Sequence, residues 1–238
     1  MTATPRDAAR PPVRAHLNYL AQADRLSGLA TSEVFAQIYR SNMWGSDDSV
    51  SGDGSALDQT AVLREELPKL LRRFGVRSLL DIPCGDFGWL ATCELELDTY
   101  LGADIVEELI AANLAKYYRH GGNRRFYTLD LTRDPLPRTD AVLCRDCLVH
   151  LSFEQIWQAL DNLRRSGSRY LLATTFLELA HNEDISTGDW RPLNLERPPF
   201  NLREPVAVLV ENCTEGGGAF ADKALGVWEI DQLPLRRP

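Results

Sequence analysis

The sequence predicts an α/β fold built on a mainly parallel sheet, and three observations predict it. Short apolar runs alternate with helix-period segments from about residue 76 to residue 176. Those runs are continuously apolar rather than alternating, as strands covered on both faces of a parallel sheet must be. Near the end, Val206 to Asn212 and Leu225 to Ile230 read as strands joined by a Gly-rich loop, which makes an antiparallel hairpin. With 238 residues, 44% of them hydrophobic, one large core is expected rather than two small ones.

Residues 1–15, rich in Pro, Ala and Arg, read as a disordered tail. Leu17, Leu20, Leu26, Leu29, Val34, Phe35, Ile38 and Tyr39 recur with a helical period and predict one or two helices, with Ser32 as a cap. A Ser-, Gly- and Asp-rich loop carrying Trp44 follows, so 16–60 is a helical lid and loop ahead of a main domain at 61–238. Leu63, Leu67, Leu70 and Leu71 mark a helix that stops at Gly75. The stretch from Val76 to Leu90, VRSLLDIPCGDFGWL, predicts a buried strand, a tight turn and the start of a helix. Strands are then predicted at Thr99 to Ile105, Arg125 to Leu131, Ala141 to Arg145 and Arg169 to Phe176. Helices are predicted from Val106 to Tyr118 and from Ser152, whose hydroxyl forms a capping box with Gln155. Residues 177–205 form an irregular insertion dense in Pro, Asn and charge.

A net charge of −8 argues against a nucleic-acid partner, which would call for a basic surface. No apolar run reaches the roughly 18 residues of a membrane span, and no signal-peptide core is visible, so a soluble cytoplasmic protein is expected. Of five cysteines only Cys144 and Cys147 share C-x-x-C spacing, and no second pair or nearby His completes a zinc site. They read as buried thiols, and no metal is expected.

The turn after the first strand decides the ligand. Pyrophosphate binding needs bare backbone N–H groups at a helix start, and Asp81 and Asp86 here would repel it. Such acids disfavour a nicotinamide dinucleotide and suit a ligand that is cationic at the turn. S-adenosylmethionine, with a sulfonium, an α-ammonium and no phosphate, fits. Asp104, closing the second strand, can accept from both ribose hydroxyls, and Asp130, closing the third, from an adenine amino group.

From about Leu57 to Ile230 the chain resembles the class I S-adenosylmethionine-dependent methyltransferases. Leu79-Leu80-Asp81-Ile82-Pro83-Cys84-Gly85 matches the family's first-strand motif, with Pro83 at its first glycine and the third displaced by Phe87 to Gly88. The resemblance implies a three-layer, Rossmann-like sheet of seven strands, six parallel and one antiparallel in a C-terminal hairpin, with extra N-terminal helices. It implies that Asp81, Pro83, Cys84 and Gly85 meet the methionine part of the cofactor, Asp104 and Ile105 the ribose, and Asp130 and Leu131 the adenine. The segment from Arg145 to Leu151 would flank the transferable methyl, with Arg145 on the methionine carboxylate or an acidic acceptor.

His150 is the leading catalytic candidate, because an imidazole suits proton removal at neutral pH. Asp146 would orient it, act as base itself or touch the cofactor ammonium. Trp44 is a lid contact to the cofactor, and Tyr39 and Ser55 are further lid positions, Tyr39 as a substrate contact. His181, Trp190, Arg191 and Asn194, in the insertion, are candidates for substrate recognition, and His181 is a second base candidate. Asp222 and Lys223, just before the last strand, could reach the mouth of the same site but read rather as a surface ion pair. The expected function is methyl transfer to an oxygen or nitrogen of a small molecule by a monomer or homodimer. The alternatives are a non-catalytic cofactor-binding module and a protein-directed methyltransferase.

Overall fold

The computed structural model describes residues 10–44 and 49–235. Residues 1–9 of the predicted tail, 45–48 of the loop and 236–238 of the main domain lie outside the described residues. β1 (Ser78–Asp81) sits mid-sheet, and its Leu79 and Leu80 are fully buried because layers cover both faces. On one side lie β2 (Thr99–Asp104) and β3 (Arg124–Thr128). On the other lie β4 (Ala141–Cys144), β5 (Tyr170–Phe176), β7 (Lys223–Glu229) and, at the edge, β6 (Ala207–Val210). β7 runs antiparallel to both β5 and β6, so six of the seven strands share a direction and one opposes. The fold is Rossmann-like. Strand order reverses between β1 and β4, so the connections leaving their carboxyl ends part and open a crevice.

Alternation along the strands supplies two cores. Leu80, Val142 and Leu171 face α6 (Phe153–Ser166) and the insertion's Leu193, Leu195 and Phe200. Leu79, Leu143 and Leu172 face α4 (Ala61–Arg73) and α5 (Glu107–Tyr117). No described helix is long and apolar enough to cross a membrane.

The expected helix after β1 does not form. Gly85 and Phe87 take φ of +52° and +58°, a left-handed conformation that cannot propagate a right-handed helix. Asp86 instead accepts from the Gly88 N–H (2.9 Å), and the chain makes only a 3-10 turn at Leu90–Thr92. Phe87 is buried, its ring centroid 4.8 Å from that of Tyr100 and 5.0 Å from that of Tyr117.

The N-terminal segment forms three short helices where one or two were expected: α1 (Arg14–Leu20), α2 (Ala23–Leu26) and α3 (Thr31–Arg40). Gly28, at φ +76°, breaks the path before α3. α3 starts at Thr31 after Ala30, so Ser32 lies inside the first turn and caps nothing. Arg10, within the predicted tail, donates twice to Asp222 (2.7 and 2.8 Å).

Half of the predicted capping box is made: the Ser152 hydroxyl accepts from the Gln155 N–H (3.3 Å). The reciprocal half is replaced, because the Ser152 N–H donates to Thr187 Oγ1 (3.1 Å). The freed Gln155 side chain donates to Thr31 Oγ1 (2.6 Å) and accepts from Thr187, tying α6 to α3 and to the insertion. Gly188 makes that junction possible. Its φ is +100°, and a Cβ there would stand 2.6 Å from Val34 Cγ1 on α3. Gly188→Ala should therefore lower the unfolding free energy by about 1–3 kcal/mol, through overcrowding and left-handed strain. Urea denaturation of the variant beside the wild type checks this.

Candidate active site at the head of the sheet

Three strand ends deliver carboxylates to one crevice of about 1080 Å³, open mouth included, near the usual range for small-molecule sites. Asp81, at the end of β1, is 5% exposed and accepts from the Tyr100 hydroxyl (2.6 Å). Burial nevertheless pushes its pKa up to about 7. Asp104, at the end of β2, accepts from the N–H groups of Val106 (3.0 Å) and Gly85 (3.2 Å). Burial outweighs those bonds too and lifts it to about 6. Asp130, just past β3, accepts from Thr132 N–H and Oγ1–H (2.8 and 2.6 Å) and pairs with Arg133 (3.0 Å). Ile105, Val106, Leu109, Leu129 and Leu131 supply an apolar wall between these acids.

Arg145 is the sole cationic side chain lining the crevice among the described residues, and it is committed. It donates to Glu211 at the end of β6 (2.8 and 3.3 Å) and to the Gly54 carbonyl (2.8 Å), and lies 3.1 Å from Asp146. Lys223 closes the network, 2.6 Å from Asp146 and 3.6 Å from Glu211. Although burial opposes it, Arg145 and Lys223 hold the Asp146 carboxyl well below the usual carboxylate range. Asp146 is therefore a fixed anion and no base. The Asp222–Lys223 surface pair does not exist either: Lys223 is buried in this network, and Asp222 binds Arg10.

His150 ends a 3-10 turn at Leu148–His150 and is 8% exposed. Its Nδ1 lies 2.8 Å from the carbonyl oxygen of Asp189, which can only accept. The proton therefore sits on Nδ1, and Nε2 carries the lone pair. Burial lowers the imidazole to about 4, so it is neutral at neutral pH. The backbone of Asp189 orients the ring, in place of the Asp146 side chain that the sequence suggested. The indole of Trp44 stacks on His150 with centroids 4.6 Å apart.

Trp44, Ser51, Asp146 and His150 also line a second cavity of about 590 Å³, so the two spaces meet at these residues. The loop from Ser49 to Ser55 lies over the crevice. Ser49 donates to Asp86 (2.7 Å), Ser51 Oγ accepts from the Asp86 N–H (3.1 Å), and a Cβ on Gly85 would stand 2.3 Å from Ser51 Oγ. Asp86 thus latches the lid.

Pro83, Cys84, Gly85, Asp104, Ile105, Asp130, Leu131 and Trp44 all line the first crevice. So does Tyr39, which was expected on the substrate, while Trp190 lines the second cavity. Arg191, Asn194 and His181 line neither. Arg191 donates to the carbonyls of Leu148 (2.7 Å) and Leu151 (2.8 Å), bracing the His150 turn. Asn194 bonds the Leu179 carbonyl (2.9 Å) and accepts from the Glu196 N–H (3.0 Å), holding the insertion's shape. His181 is exposed. Lys223 reaches the site mouth rather than pairing with Asp222 at the surface, and Glu211, Tyr100, Phe176 and Phe220 carry no expectation from the sequence. Only Glu211 left a sign, as an acid closing an apolar strand in the manner of Asp81. All five cysteines are free thiols, four of them buried, and no described group of His, Cys, Asp and Glu could hold a metal ion.

No protein-family model matches the chain, and no curated protein does. Solved structures resemble it distantly. The methyltransferase domain of bacterial CtHen1 aligns over 50% of this chain and 66% of its own, at 12% identity and a TM-score of 0.44. Human N-acetylserotonin methyltransferase in complex with SAM aligns over 68% and 49%, at 17% identity and 0.46. Magnesium protoporphyrin IX methyltransferase from Synechocystis PCC 6803 with bound SAM aligns over 67% and 81%, at 15% identity and 0.45. These are likenesses in the course of the chain; the crevice chemistry is this chain's own.

Lys223→Met should lower the unfolding free energy by about 3–5 kcal/mol, because Asp146 and Glu211 would keep one cation between them in a buried setting. Lys223→Arg should recover part of the loss. Urea unfolding of both variants measures the difference.

Proposed function

We propose that this protein is an S-adenosylmethionine-dependent methyltransferase acting on an oxygen or nitrogen of a small molecule. One observation carries the reading. Asp81 and Asp104 are buried carboxyls on adjacent strand ends, raised to about 7 and about 6, in a crevice whose one cation is already paired. Such a site lacks a positive charge and would gain it from a cationic ligand. The donor set fits S-adenosylmethionine and not a pyrophosphate, since Asp81, Asp86, Asp104 and Asp130 all line the space.

Asp81 and Gly85 would hold the methionine part, Asp104 the ribose hydroxyls, and Asp130 with Leu131 the adenine. Trp44 and Tyr39 would close over them from the lid. When bound, the cofactor supplies a methyl group made electrophilic by its sulfonium. The chain's own contribution is placement and dryness: the Ser49–Ser55 loop covers the crevice, and the acceptor would enter the adjoining cavity. His150 Nε2, neutral and at the junction, would accept the hydrogen of the incoming nucleophile. The net charge of −8 supports a small-molecule acceptor over a nucleic acid, and a cytoplasmic setting suits the free thiols.

Calorimetric titration tests the reading. S-adenosylmethionine and its demethylated product should bind on the order of tens of micromolar or tighter, and NAD should not. Affinity for S-adenosylmethionine should fall as pH drops below 7. In the empty protein Asp81 is protonated below about 7 and must ionise to receive a cation, and Asp104 is protonated below about 6 and must ionise to accept from both ribose hydroxyls, each costing up to about tenfold per unit below its own pKa. Asp81→Asn should remove the dependence between about 6 and 7 while weakening binding throughout. A flat profile in the wild type would sink the assignment. Separately, Trp44→Ala should raise the dissociation constant about tenfold through loss of the lid's aromatic contact; an unchanged constant makes the loop a connector.

A further inference from the structure

We propose that the methyl acceptor is an amine, held as a cation in the second cavity by Glu215 and an aromatic wall; this rests on the methyl-transfer reading above. The charges of the cavity come first. Lys223 lines it but is neutralised by Asp146 and Glu211, and with Arg145 these four balance as two cations against two anions. Arg14 and Asp53 face each other at 3.9 Å on the rim. Glu215 is left over. Its bond is to the Cys213 thiol (3.3 Å), and no cation lies within 4.0 Å of it among the described residues. Glu215 Oε2 would stand 3.6 Å from a Cβ on Gly54, beside the lid. Lys223 Nζ would stand 3.4 Å from the same point, but it is bonded to Asp146, so the charges lining the cavity leave one carboxylate in excess.

The wall around it is aromatic. Phe176, Trp190 and Phe220 meet at steep angles, with Trp190 and Phe220 5.4 Å apart at 85° and Phe176 and Trp190 6.1 Å apart at 90°. Trp44 adds a fourth ring. Rings set at right angles turn negative faces in several directions, as sites for ammonium groups do. The same rings already hold a cation from the chain itself. The Arg10 guanidinium lies 5.3 Å from the Phe176 centroid and 5.7 Å from that of Phe220, with Asp222 as its carboxylate. Glu215 offers an incoming ligand the same combination of ring and carboxylate.

The chemistry agrees. The acceptor ammonium first loses one proton to water. Its nitrogen lone pair forms the new N–C bond to the methyl carbon as the S–C bond breaks, with that pair passing to sulfur. Positive charge moves from sulfur to nitrogen, toward Glu215, so the carboxylate stabilises the transition state more than the reactants. The product is a methylammonium carrying the charge that the starting ammonium had. His150 Nε2, a neutral acceptor, would take an N–H of the amine and aim its lone pair. A carboxylate acceptor would instead face Glu215 with Lys223 already engaged.

The test uses the full chain loaded with demethylated cofactor, whose own titration is recorded first. Phenethylamine, 2-phenylethanol and 3-phenylpropionate, alike in ring and nearly alike in length, are then titrated calorimetrically. The amine should bind at least about tenfold tighter than the other two, and Glu215→Gln should erase that preference while leaving the demethylated cofactor's affinity unchanged. Equal or tighter binding of the alcohol or acid, no binding of the amine, or an unaffected Glu215→Gln variant overturns the amine assignment. Failure of the demethylated cofactor to bind overturns the methyl-transfer reading instead.

Discussion

Four charges at one edge of the sheet, where β4 and β6 end and β7 begins, tie together the parts of this molecule that face ligand; Arg145, Glu211 and Lys223 are buried and Asp146 partly so. Arg145 follows β4, Glu211 follows β6, Lys223 opens β7, and Asp146 stands between them at a φ of +50°. Alone in a low-dielectric setting any one of them would be costly; together they balance, and Arg145 has a donor left for the Gly54 carbonyl in the lid. That bond makes the lid's resting place a consequence of the ion network. The network also removes Asp146 from acid–base chemistry by pinning its charge, and it withholds Lys223 from ligands. What stands outside the network is the neutral imidazole of His150 on one side of the junction and, on the other, the Glu215 carboxylate, with no cation within 4.0 Å among the described residues.

The insertion after β5 works by support. Thr187, Gly188 and Arg191 attach it to α6, α3 and the His150 turn, and the Asp189 carbonyl then sets the imidazole's proton on Nδ1. One short segment thus fixes both the position and the tautomer of the ring. His16 on α1 reaches the Asp189 side chain (2.8 Å), so the N-terminal helices share in that arrangement. Trp44 joins the two halves of the site, stacked on His150 and lining both cavities.

Much of the crevice was legible in the chain because it is a local property. An acid that closes an apolar run lies at a strand end, and parallel strand ends share one edge of the sheet; Asp81, Asp104 and Asp130 needed no more than that. His150 was legible for the same reason, by its place after β4. The helix expected after β1 was misread because periodicity carries no information about the left-handed backbone at Phe87. Arg191 and Asn194 were misread because a loop rich in polar residues looks alike whether its side chains meet a ligand or their own backbone.

By itself the sequence determined the seven strands, the hairpin at the end and the acids at the head of the sheet, since each follows from residues near one another in the chain. Only the tertiary structure decided which charges are cancelled and which are left over. Arg145 meets Glu211 across 66 positions and Lys223 meets Asp146 across 77. Coulomb energy and desolvation depend on distance through space and on burial, and neither is written in local order. The opposite outcomes at Asp81, raised by burial, and at Asp146, lowered by two neighbours, are the measure of that difference.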